Sequence, residues 1–108
     1  MSGRNPLGIV SLQHYPKALR RTREVARRHG YAIGLHGSRT YDLDLIACPW
    51  ADQCSAPFDL AMAIAKELGW YLHDGSKNKP HGRICYTLYS RTSCAHIDLS
   101  IMPKGSAR

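Results

Sequence analysis

Nothing in this chain approaches the ~18 consecutive apolar residues of a membrane-spanning helix, and no apolar signal core follows Met1. The expectation is a cytoplasmic protein without a membrane partner. Close cysteine pairs are missing too. Cys48, Cys54, Cys85 and Cys94 are irregularly spaced and offer no C-x2-C knuckle of the structural-zinc kind, so they are expected to be buried free thiols. His14, His29, His36, His73, His81 and His96 are equally scattered and form no H-E-x-x-H pattern. There is a single Phe, and there is neither an internal repeat nor a low-complexity tract. Carboxylates are scarce: eight Asp and Glu stand against fifteen Lys and Arg, a net charge of +7. That balance favours polyanions, whether nucleic acid, nucleotide phosphates or an acidic protein partner. Part of it is expected in tails, where Arg4, Lys104 and Arg108 lie.

What is present amounts to one small domain, 108 residues being enough for a two-layer core and little more. Residues 1–15 hold Gly3, Pro6 and Gly8 ahead of a short apolar patch and read as an arm with an anchoring strand or turn. The domain proper is placed at residues 16–103 and a tail at 104–108. From Pro16 the run PKALRRTREVARRH predicts a helix with Pro in its first turn and Gly30 as its stop. Leu19, Thr22, Val25 and Ala26 form its apolar stripe, and Arg20, Arg23, Arg27 and Arg28 stay outward or flanking.

Tyr31 to Leu35 predicts a strand, Gly37-Ser38 a corner, and Asp42 to Cys48 a second strand ended by Pro49. Ser55 is expected to cap a helix with Pro57 in its first turn and Gly69 as its stop. Trp70 to His73 predicts a short strand, followed by a mobile loop DGSKNKPHG. Arg83–Ser90 and Cys94–Met102 then pair as a hairpin. This order argues for an α+β two-layer domain, a mixed or antiparallel sheet with helices packed on it.

The chemistry lies in the alternation. Leu43, Leu45 and Ala47 share one face of the second strand, and Asp42 and Asp44 share the other, with Cα atoms about 6.5 Å apart. In the last strand Ile97, Leu99 and Ile101 alternate with His96, Asp98 and Ser100. If the two strands are neighbours, three carboxylates meet on one face. They repel unless a cation neutralises them, and oxygen-only ligation selects Mg²⁺ or Mn²⁺. Metal ions held this way serve phosphoryl or nucleotidyl transfer, and an upstream Gly37-Ser38 corner brings N–H groups toward a triphosphate. The competing reading of Asp42 and Asp44 is a pair of solvent-facing charges on an edge strand.

HGS followed by DLDL and later HIDLS resembles the signature of the minimal nucleotidyltransferases of the polymerase-β type. The resemblance spans residues 31–102. It implies a nucleotidyltransferase-like fold, two divalent metals on Asp42, Asp44 and Asp98, and transfer of a nucleoside monophosphate from an NTP to a hydroxyl or amino group. On it, Gly37 and Ser38 match the phosphate-binding turn, with Arg39 beside them. Only Arg39-Thr40-Tyr41 separate Ser38 from Asp42, a tighter link than the family usually has. DLDLIACPW, KPHGR and IDLSIMP are also similar to small proteins of phages and mobile elements.

Other residues carry two readings each. Lys77, Lys79, His81 and Arg83 either clamp phosphates or a nucleic-acid backbone or simply keep a loop soluble. His36 and His96 either move protons or make structural hydrogen bonds. Trp50, Trp70, Tyr71, Tyr86 and Tyr89 either stack on a base or give the core its bulk. Two functions follow. One is a metal-dependent nucleotidyltransferase acting on a nucleic-acid or protein acceptor. The other is a catalytically inactive relative that works by binding, such as a phage or mobile-element inhibitor of a nucleic-acid or defence-system partner.

Overall fold

Pro16, with its fixed φ and missing N–H, opens helix α1 (Pro16–Arg28), whose Thr22, Val25 and Ala26 are buried. This computed structural model describes residues 16–38 and 42–105. The expected N-terminal arm, the Arg39-Thr40-Tyr41 link and residues 106–108 lie outside the described residues. The chain continues as β1 (Tyr31–Ser38), β2 (Asp42–Pro49), α2 (Pro57–Leu68), β3 (Tyr71–Leu72), β4 (Lys77–Asn78), β5 (Ile84–Tyr89) and β6 (His96–Ile101).

Between α1 and β1 the backbone reverses at Gly30, which holds φ +91. A Cβ there would stand 2.6 Å from the Gln53 carbonyl oxygen, so conformation and space both require glycine. The reversal is tied to the loop before α2: the Gly30 carbonyl accepts from the N–H groups of Trp50 and Ala51, and the His29 carbonyl from that of Ser55. This explains why Ser55 is not the helix cap that its residue type predicts. Its hydroxyl is 2.6 Å from His29 Nδ1 and its carbonyl accepts from the Tyr31 hydroxyl. The N-cap position falls to Ala56, without a side-chain cap.

The sheet runs β1-β2-β6-β5-β3, with β4 also on β5. Among the described residues only β2 and β6 pair in parallel; β1·β2, β5·β6, β3·β5 and β4·β5 are antiparallel. The expected hairpin of the last two long strands is present, and the sheet is mixed. Within the loop DGSKNKPHG, Lys77 and Asn78 pair with Cys85 and Ile84, and the Lys79 N–H donates to the Arg83 carbonyl. Backbone pairing of two residues is too short to leave a period in the sequence.

Both helices pack on one face. Leu43, Leu45 and Ala47 of β2, Ile97, Leu99 and Ile101 of β6, and Leu88 of β5 meet Val25 and Ala26 of α1 and Leu60, Ala61, Ile64 and Ala65 of α2. Fully burying each large aliphatic side chain here contributes roughly 1.5–3 kcal/mol. Arg21 straps the helices together, its guanidinium reaching Glu67 Oε2 at 3.0 and 3.1 Å and the Glu67 carbonyl at 2.9 Å. Of the expected buried thiols, all four are free but only Cys85 is buried, while Cys48 and Cys94 are exposed. The expected aromatic bulk divides: Trp70 and Tyr86 pack partly buried against the core, whereas Trp50, Tyr71 and Tyr89 are 63%, 50% and 39% exposed.

Candidate functional site

The face away from the helices carries the polar half of each strand. Because β2 and β6 run in parallel, Asp42 lies opposite His96 and Asp44 opposite Asp98. Strands pair about 4.8 Å apart, so Asp44 and Asp98 are immediate neighbours with Asp42 two residues along. On the other side of β6, Thr87 is opposite Asp98 and Cys85 opposite Ser100. The three predicted carboxylates therefore share one face, each only part-buried.

Their partners are specific. His96 Nε2 stands 3.2 Å from Asp42 Oδ1 and 3.7 Å from Asp98 Oδ2, so one imidazole faces two carboxylates. The Thr87 hydroxyl donates to Asp98 Oδ1 at 2.9 Å. Sequence reasoning missed Thr87 altogether; its only signal was its place in the alternation of β5.

A cleft of about 360 Å³ opens beside Asp44 and Asp98. Lys77, Lys79 and Arg83 line it together with His36. These cations of the loop are thus brought to the carboxylates, whereas His81, held at φ +68 in the turn Pro80–Gly82, is not among the lining residues. Helix α1 packs on the opposite face, so its arginines do not face the carboxylates; Arg23 donates to the Ile33 carbonyl there. Cys85 forms part of the cleft floor. Burial pushes its thiol above the ordinary value, with Asp98 and Asp44 adding to the effect and the Ser100 hydrogen bond and Lys79 opposing it. Burial does the same to the Tyr31 hydroxyl, with Cys54 adding to it. A larger hollow of about 490 Å³ lies by β3 and α2, lined by Phe58, Met62, Tyr71 and Tyr86 among others, and contains none of the three carboxylates.

Gly37 and Ser38 do not form the predicted corner. They close the β1 ladder, Gly37 opposite Asp44 and Ser38 opposite Leu43, after a register shift between Leu35 and Gly37. A Cβ on Gly37 would lie 3.5 Å from Asp44 Oδ2, so bare backbone runs beside that carboxylate. The expected role of Arg39 lies outside the described residues.

Among the described residues, no three His, Cys, Asp or Glu side chains are gathered tightly enough to form a ready metal cluster. In kind and in face the carboxylates fit a hard divalent ion. The partner the structure places against two of them is His96, facing Asp42 and Asp98.

With this geometry, 84% of the chain superposes on a solved structure described as "Structural Basis for the Activity of a Cytoplasmic RNA Terminal U-transferase", with a TM-score of 0.52 and 14% identity. The fold is nucleotidyltransferase-like. The matched region spans 29% of that protein's length. No protein-family model matches the sequence, and no curated protein does. No described helix is long and apolar enough to cross a membrane.

Proposed function

We propose that this chain is a metal-dependent nucleotidyltransferase that moves a nucleoside monophosphate from an NTP to a nucleic-acid or protein acceptor in a cytoplasmic setting. The observation that carries this reading is the register of β2 and β6, which sets Asp44 beside Asp98 with Asp42 on the same open face. Lys77, Lys79 and Arg83 supply positive charge along the adjoining cleft, where a triphosphate would lie. Asp42, Asp44 and Asp98 would hold Mg²⁺ or Mn²⁺, which would supply charge neutralisation and Lewis-acid activation at the reacting phosphate.

The chain's own residues then have distinct tasks. Asp98, oriented by the Thr87 hydroxyl, takes the proton of the acceptor hydroxyl. The acceptor oxygen bonds to the α-phosphorus, the bond from that phosphorus to the β-phosphate oxygen breaks, and pyrophosphate leaves. The cations of the cleft stabilise the charge that gathers on the departing oxygens. Gly37 and Ser38 would bring backbone close to the phosphates, with Arg39 beyond them.

One observation favours the second reading, an inactive relative that acts by binding. His96 spans Asp42 and Asp98, where an ion would have to enter. In that reading the chain is an inhibitor from a phage or mobile element. The two separate under one experiment: labelled NTPs are offered with Mg²⁺ or Mn²⁺ and a mixture of RNA and protein acceptors, to the protein and to Asp44→Ala. Transfer that is lost in the variant supports the enzyme. Absence of transfer, with biological effect equal in both proteins, establishes the binder.

A further inference from the structure

On the carboxylate face the register aligns one residue from each of four strands. Asp42 is opposite His96, His96 opposite Tyr89, and Tyr89 opposite Tyr71. The Tyr89 ring lies 5.6 Å from that of His96 at an interplanar angle of 44°. His73 meets Tyr89 edge-on at 6.0 Å and 76°. At the end of the row the Arg91 guanidinium sits 6.0 Å over the Tyr71 ring, tethered by its Nε donating to the Gly69 carbonyl. Tyr89 and Tyr71 stay well exposed. A strip of flat rings that remains in contact with water and ends at two carboxylates is a poor use of aromatics for stability. It is a good surface for a ligand with a π-face.

The neighbouring rows say which ligand. The row Asp44, Asp98 and Thr87 lies between the ring row and the row Ser100, Cys85 and Lys77. Anionic phosphates are drawn to the lysine side and flat bases to the tyrosine side, so two substrates would approach the carboxylates from opposite ends of the strands. Tyr89 is on β5, one strand spacing of about 4.8 Å from the strand bearing Asp98. The sugar of a base stacked there would reach toward Asp98.

We propose that Tyr89, flanked by His73 and His96, is the stacking platform for the 3′-terminal base of a single-stranded nucleic-acid acceptor. This rests on the transfer reading above and assigns its acceptor. Arg91, beside Tyr71, carries the positive charge that suits the acceptor's backbone. Stacking is tolerant of base identity, so the platform selects a strand end rather than a sequence.

The test is fluorescence anisotropy of a 5′-labelled single-stranded oligonucleotide with the full chain, in EDTA and without NTP, so that no transfer occurs. Tyr89→Leu is expected to weaken binding on the order of 5- to 100-fold, and Tyr89→Phe to retain it. An oligonucleotide abasic at its 3′ end should bind the unaltered protein as weakly as the intact one binds Tyr89→Leu, with no further loss when both changes are combined. Melting curves confirm that both variants are folded. Equal binding of intact and abasic strands overturns the proposal, as does Tyr89→Leu binding like the unaltered protein, or label transferred only to a protein. Base-dependent binding by a protein that transfers nothing defeats the transfer reading and leaves the platform. Transfer to RNA without base-dependent binding does the reverse.

Discussion

Replacing Thr87 by Val removes one hydroxyl and keeps a β-branched side chain that suits a strand. The hydroxyl donates to Asp98 Oδ1 at 2.9 Å. Hydrogen bonds to an ionised acceptor contribute about 1.5–3 kcal/mol. The Asp98 side chain is 38% exposed, so water replaces part of the lost bond, and about 1 kcal/mol is the expected cost. For a domain of this size that lowers the melting temperature by about 4–8 °C. The same bond fixes the carboxylate that would receive the acceptor's proton, so transfer should fall about tenfold, the equivalent of about 1.4 kcal/mol in the barrier. Thr87→Ser should restore most of both. The measurements are a thermal melt and initial rates for the three proteins. A Thr87→Val protein with unchanged melting and unchanged rate refutes the assigned role of this hydrogen bond.

Gly30→Ala should destabilise by at least about 2 kcal/mol, because φ +91 strains any side chain and the added Cβ meets the Gln53 carbonyl; a denaturant titration reads it directly. Arg21→Met should cost under about 1 kcal/mol, since Arg21 and Glu67 are 42% and 36% exposed, and the same titration decides. Folding holds the protons of Cys85 and Tyr31 more tightly than the unfolded chain does, so stability is intact below pH 9.0 and declines as the pH rises past 9.0 and then 10.0. Melts across that range should show the decline, and Cys85→Ala should remove its first part.

The polar–apolar alternation in β2 and β6 was legible, because a strand buried on one face writes period two into the chain. It gave the shared face of Asp42 and Asp44 and the matching phase of Asp98. The parallel pairing that joins them depends on α2 crossing between distant segments, which no local window records. Lys77 reads in the sequence as charge, and the two residues of β4 are too few to show its pairing to Cys85. Ser55 reads as a cap until His29 and Tyr31 claim it. Gly37-Ser38 reads as a corner because glycine and serine favour turns, whereas the close approach to Asp44 gives Gly37 a different use. Composition does not say which aromatics enter the core: Trp70 and Tyr86 pack against it, and Trp50, Tyr71 and Tyr89 stay exposed.

Parallel reactions with α- and γ-labelled NTP in Mn²⁺ decide whether Asp42, Asp44 and Asp98 form a nucleotidyl-transfer centre. With such a centre the acceptor gains the α label, the γ label leaves in pyrophosphate, and Asp44→Ala gives neither. Such a centre is contradicted by γ label on the acceptor, by no label from either nucleotide, or by an Asp44→Ala protein that labels like the unaltered one.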